Sequence, residues 1–189
     1  MLERVQDAVM VTQTNPKAIR FAKAAAALLE QILIGKSLKV SMETLVEQTM
    51  SSTSHFSVDD DSDIGDACLT ALMEAKTKET AVDLMNDTLV PDEENQGGRS
   101  ARFPAAMIVP LFLLYKAIAG GEVTEESYVH AIRSNISAGG DTCCRAIALG
   151  AILAAASGSV PDSFVDRFMP KEVLNRVDDA VAGIIESIG

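Results

Sequence analysis

Apolar residues recur in this chain three and four positions apart, segment after segment, and nowhere alternate over a length that would make a strand. That interval is the period of an α-helix with one buried face, so the expected fold class is all-α. Aromatic residues are only 4% of the 189, with no Trp, and the 6 Pro and 12 Gly are few for this length. A sandwich or barrel of many short strands needs more aromatic and β-branched residues and more turns. The Ala, Leu, Ile, Met and Val that remain suit helices, and 48% hydrophobic against 23% charged residues allows a buried core.

Punctuation by Pro, Gly and capping residues divides the helical pattern. Asn15-Pro16 opens a helix with the stripe Ile19, Ala22, Ala26, Leu29 and Leu33, ended by Gly35. Ser41 is expected to cap a second, with Met42, Leu45, Val46, Thr49 and Met50 on one side. Residues 51–63 are polar and acidic and read as a surface loop. Ala67, Cys68, Ala71, Leu72 and Ala75 form a third stripe, and 80–89 a shorter helix. A loop with Gly97-Gly98 precedes 103–119, which is apolar nearly all round and should be a central buried helix, begun at Pro104 and kinked at Pro110. Beyond Gly120-Gly121, Thr124 starts a helix striped by Tyr128, Ala131, Ile132, Asn135 and Ile136, its capping box weakened by Ser127 where Glu is better. Gly139-Gly140-Asp141 then leads into an Ala-rich core helix over 142–157. Pro161 and Pro170 bracket a short helix, and Val173, Val177, Val181, Ile184 and Ile188 mark the last. With no internal repeat and no linker, residues 1–189 read as a single all-α domain.

The formal net charge of −11 disfavours both a nucleic-acid partner and an anionic membrane surface, which need clustered Lys and Arg. The longest uncharged apolar runs, 103–115 and 146–161, are shorter than the ~20 residues of a membrane span. The start of the sequence carries Glu3, Arg4 and Asp7 and no apolar signal-peptide core. Three cysteines, Cys68 and the adjacent Cys143 and Cys144, do not make a disulfide framework. Together these features point to a reducing, cytoplasmic setting.

Four features could carry chemistry. The acidic run Asp59, Asp60, Asp61, Asp63 and Asp66 fails the Ca²⁺-loop pattern, because Ile64 and Thr70 stand where Gly and Glu are required. It reads as a solvated loop with Ser62 or Asp63 as N-cap. Adjacent Cys143 and Cys144 point ~100° apart on a helix and are read as small core residues. His55 and His130 lack partners at zinc-ligand spacing and are read as surface or helix-side residues. Gly139-Gly140-Asp141-Thr142 is the richest candidate. Two glycines before a helix start favour close approach of a ligand, and a carboxylate there could serve a hard cation such as Mg²⁺. The plain alternative is that Asp141 caps the helix and pairs with Arg145 four residues on.

The segments Arg102-Phe103-Pro104-Ala105-Ala106 and Asn135-Ile136-Ser137-Ala138-Gly139-Gly140-Asp141-Thr142, the small-residue helix after them, and Val160-Pro161 resemble the C-terminal part of ADP-ribosylglycohydrolases. Val11-Thr12-Gln13-Thr14-Asn15-Pro16 is similar to that family's Thr-His-x-Asn-Pro segment, with Gln13 in the place of His. The resemblance implies an orthogonal helical bundle, a binuclear Mg²⁺ site held by carboxylates from several helices, and attack of water on the anomeric carbon of ADP-ribose. It also implies ADP-ribose or an ADP-ribosylated protein as partner. The active pattern is Gly-Gly-Asp-x-Asp-Thr. Asp141 matches its first Asp as a metal ligand, while Cys143 replaces the second ligand and Cys144 the Thr. A thiol is a poor ligand for Mg²⁺. The family's N-terminal third, with its Glu-Gly-Asp and Thr/Ser-Asp-Asp segments, has no counterpart here. These departures resemble the J-type crystallin branch, whose altered segment ends in Arg as Arg145 does.

The expectation is thus a degenerate, non-catalytic protein that binds no Mg²⁺ itself. In it Gly139, Gly140, Asp141, Thr142 and Arg145 line a ligand site, and Arg145 supplies the positive charge that the metal supplies in active relatives. Apolar surface left uncovered is expected to promote self-association. The alternatives are an active Mg²⁺-dependent hydrolase whose missing ligands come from an N-terminal segment, and an unrelated all-α interaction domain.

Overall fold

A computed structural model of the protein describes residues 2–50, 62–89, 105–168 and 170–188. Among them the regular structure is entirely helical. Packing divides the chain into two units, residues 1–158 and 159–189.

The first unit holds α1 (Leu2–Met10), α2 (Pro16–Leu33), α3 (Leu38–Met50), α4 (Ser62–Thr77), α5 (Ala81–Asp83) running into a π-helical turn (Leu84–Thr88), α6 (Ala105–Ala117), α7 (Glu125–Ser137) and α8 (Thr142–Ser157). Helix α6 is the hub, in contact with α4, α5, α7 and α8. Its sequence explains why: every residue from Met107 to Leu114 is buried, so no face is left for solvent. Pro110 lies inside it without ending it. Its predicted start at Pro104, like residues 91–102, falls outside the described residues.

Helix α2 begins where Asn15-Pro16 predicts, with the Asn15 side chain accepting from the Lys17 N–H at 2.9 Å. Its buried face, however, is turned one residue from the expected stripe. Ala18, Phe21, Ala24, Ala27, Leu28 and Ile32 are buried, while Leu33 is 70% exposed. Alanines surround this helix, so the 3-4 spacing fits two neighbouring faces, and the bulk of Phe21 and Leu28 selects one.

The expected cap of α3 is also corrected. The helix starts at Leu38, with Ser37 accepting from the Val40 N–H. Ser41 lies within it, fully buried, and donates to the Ser37 carbonyl at 2.9 Å. Helix α4 already includes Ser62 and Asp63, so neither is its N-cap. Residues 51–61, including His55 and Asp59 to Asp61, lie outside the described residues.

At the start of α7 the capping box closes in spite of the shorter residue. The Ser127 hydroxyl accepts from the Thr124 N–H at 2.9 Å, and the Thr124 hydroxyl accepts from the Ser127 N–H at 3.2 Å. Tyr128 then ties α7 to α8, its hydroxyl donating to the Gly150 carbonyl at 3.1 Å. The second unit holds α9 (Asp162–Phe168) and α10 (Lys171–Ile188). No helix of the described residues is long and apolar enough to cross a membrane.

Candidate functional site

Gly139, Gly140 and Asp141 connect α7 to α8, and the loop is shaped by backbone that only glycine adopts freely. Gly139 has φ +71° and Gly140 φ +69°, two successive left-handed residues. No atom crowds the space a Cβ would fill at Gly139, so conformation rather than close contact requires glycine there. The bend delivers Asp141 as the N-cap of α8, with its carboxylate accepting from the Cys144 N–H at 3.2 Å.

That carboxylate is engaged twice by the same residue, since the Cys144 thiol also donates to it. These two bonds, with the nearby Arg145 charge, hold the Asp141 carboxyl below its usual pKa. The partner shifts the other way. A Cys144 thiolate would face the carboxylate, and the Asp141 contact raises the thiol's pKa. A helix N-terminus normally promotes ionisation of a thiol; here the capping carboxylate wins.

Arg145 is buried, 2% exposed, one turn into α8. Its hydrogen bonds run backward across the loop. Nε donates to Asn135 Oδ1 at 2.7 Å, and Nη2 donates to the Asn135 carbonyl at 3.2 Å and the Gly139 carbonyl at 2.6 Å. Asn135, fully buried on α7, returns a bond from Nδ2 to the Thr142 carbonyl at 2.9 Å. The guanidinium therefore staples the end of α7 to the beginning of α8 and reaches Asp141 through its field. Burial lowers its pKa and Asp141 opposes that shift; an arginine remains charged. Nη1 is buried without a hydrogen-bond partner.

The structure thus places Gly139, Gly140 and Asp141 in the loop and Thr142 and Arg145 in the first turn of α8, and it adds a role for Asn135, which sequence reasoning placed on the α7 stripe and in the family-like segment but not among the site residues. A buried amide on an otherwise apolar stripe, ten residues before an arginine, was the available signal.

Cys143 and Cys144 are corrected: both are exposed, not core residues. They share an outward face of α8 with Ile147, which is 75% exposed, while Arg145, Leu149, Ile152 and Leu153 fill the inward face. The apolar character of α8 therefore extends beyond its core-facing side. The buried cysteine is Cys68 on α4, its thiol pKa pushed up to about 12 by desolvation. His130 is exposed as expected, with Nε2 3.3 Å from the Ser134 hydroxyl. Among the described residues no three His, Cys, Asp or Glu side chains converge in a way that could hold a metal. Open cavities of about 900 Å³ at α5, α6 and α7, and about 660 Å³ at α3, α4 and α6, are lined by other residues.

The ADP-ribosylglycohydrolase family model matches residues 1–187. No curated protein matches the chain. No solved structure matches it either.

Proposed function

The chain belongs to the ADP-ribosylglycohydrolase family, and from that premise we propose that it is a degenerate member, one that binds ADP-ribose or an ADP-ribosylated protein without hydrolysing the glycosidic bond. The match runs across both compact units, which supports reading the whole chain as one domain.

One observation carries the reading. The single carboxylate in the glycine-glycine loop is committed to Cys144, through an N–H and a thiol, and the thiol of Cys143 stands at the second acidic position. Mg²⁺ prefers oxygen donors in a near-octahedral shell and loses its waters reluctantly. The described residues here offer one carboxylate, already hydrogen-bonded, beside two soft thiols and a buried guanidinium. That donor set does not fit Mg²⁺. Arg145 can offset the negative charge of Asp141, but a guanidinium has no Lewis acidity with which to activate water. What the loop retains is a fixed backbone bend and a polarised helix start, features that orient a polar ligand.

Two measurements test this. Calorimetric titration with Mg²⁺ should show no stoichiometric uptake, and ADP-ribosylated arginine or serine peptides should release no ADP-ribose with or without Mg²⁺. Mg²⁺-dependent turnover by this chain would refute the reading and favour the hydrolase. Absence of both turnover and ADP-ribose binding would refute the ligand and leave an interaction domain.

A further inference from the structure

Helices α3 and α6 both pack on α4, and these three helices border the open cavity of about 660 Å³. Gly121 on its rim and the Gly139 bend stand at opposite ends of α7, about 20 Å apart along its axis. The cavity is therefore separate from the loop site. Its floor is apolar and open to solvent, since Val46, Leu72, Tyr115 and Ile118 are each only half-buried. A concave site of this size, lined by apolar side chains with a few polar groups, suits a small molecule.

The charges around the floor decide which molecule. Lys39, Glu43 and Glu47 follow one another four positions apart on α3, and Lys76 faces the cavity from α4. All four are exposed and none is in an ion pair. Two cations and two carboxylates cancel in sum, so their placement relative to the floor matters. The polar side chain of the floor is Tyr115, whose hydroxyl forms no hydrogen bond among the described residues. Burial raises the Tyr115 pKa, and the Cys68 thiol and the Glu43 carboxylate raise it further, with neither lysine opposing them. The Cys68 thiol, with its pKa near 12, is neutral at pH 7, so Glu43 is the charge felt at the Tyr115 hydroxyl. An ammonium group there gains the Glu43 carboxylate, the phenolic oxygen as acceptor and the Tyr115 ring. A carboxylate there meets Glu43 as a like charge. The net charge of −11 favours a cation as well. We propose that this cavity binds a small organic cation, with an apolar body on Val46, Leu72 and Ile118 and a single amine beside Tyr115 and Glu43.

Titration of the ¹⁵N-labelled full chain with 2-phenylethylamine, followed by two-dimensional NMR, tests the proposal. Matched titrations use 2-phenylethanol as the neutral analogue and 3-phenylpropionate as the anion. The amine should shift the amides of Val46, Leu72, Tyr115 and Ile118 with a Kd of about 1 mM or below. It should bind about threefold or more tighter than either analogue, the scale of an exposed charge pair. Glu43→Gln should remove that advantage while leaving 2-phenylethanol binding and far-UV circular dichroism unchanged. Added salt should weaken the amine selectively. Tighter binding of the carboxylate, equal binding of all three compounds, or binding of none overturns the proposal. So do amide shifts located away from this cavity, or an amine preference that survives Glu43→Gln.

Discussion

Replacing Arg145 tests whether the loop is organised by a buried cation or by the capping aspartate. The guanidinium makes three hydrogen bonds, two to Asn135 and one to the Gly139 carbonyl. Bonds to a charged group contribute about 1.5–3 kcal/mol each in favourable cases, and removing the donor leaves the acceptors unsatisfied. Three at the lower figure give about 4.5 kcal/mol, and relief of the unpartnered Nη1 returns about 1. Arg145→Met, which keeps the aliphatic stem, should therefore lose about 3–4 kcal/mol. Arg145→Lys should lose about 2–3 kcal/mol, because one ammonium cannot reproduce the planar fork. Urea unfolding followed by far-UV circular dichroism measures both, with the slope checked for constancy. A double-mutant cycle with Asn135→Ala should give a coupling of about 1.5 kcal/mol or more. The pH dependence separates the two organisers. Asp141 has a depressed folded pKa, so any stabilisation routed through it is present above the unfolded value of ~3.9 and is lost as pH falls through the folded one. The bonds to Asn135 and Gly139 do not titrate there. An Arg145→Met penalty that vanished on acidification, or an Arg145→Lys penalty within about 0.5 kcal/mol of zero, would refute the staple.

Three smaller effects follow from the same loop and its neighbours. Cys144 should alkylate more slowly than Cys143 near pH 8 in mass-resolved iodoacetamide labelling, since the Asp141 carboxylate raises its pKa, and Asp141→Asn should speed Cys144 selectively. Gly140→Ala should cost about 1–2 kcal/mol in chemical denaturation, with Gly140→Asn milder, because φ is +69° there. Tyr128→Phe, which removes the bond to Gly150, should cost about 1 kcal/mol by the same assay.

How much of this was legible in the sequence depends on whether the deciding interaction is local. The ends of α2 and α7 are set by side chains within three residues of the backbone they cap, so Asn15-Pro16 and Thr124 announce them. The all-round burial of α6 is equally local, since a run without polar residues has only one place to go. Helix α2 shows where this fails. Its spacing offers two faces about 100° apart, and what chooses between them is how α2 packs against α1, α3 and α8, which buries Phe21 and Leu28. The exposed cysteines fail for the converse reason: Cys is usually buried, but the inward face of α8 was already taken by Arg145, Leu149, Ile152 and Leu153. Only contacts from α2, α6 and α7 define which face that is.

The loop itself was readable in its parts but not in its wiring. Two glycines, an aspartate and an arginine are visible in sequence, and i,i+4 spacing pairs the two charges. In the folded chain the arginine instead spends its hydrogen bonds on the preceding helix and turn, while the aspartate turns to the residue three positions on. The reason is geometric. A side chain at the first turn of a helix points back toward the N-terminus, and here the chain doubles back, so Asn135 and Gly139 lie in that direction. Asp141, as N-cap, faces free N–H groups within its own turn. Both charged residues are thus used to build the bend. This physical competition, between serving the fold and holding a cation, links Cys144, whose N–H and thiol occupy Asp141, to the proposed loss of metal chemistry.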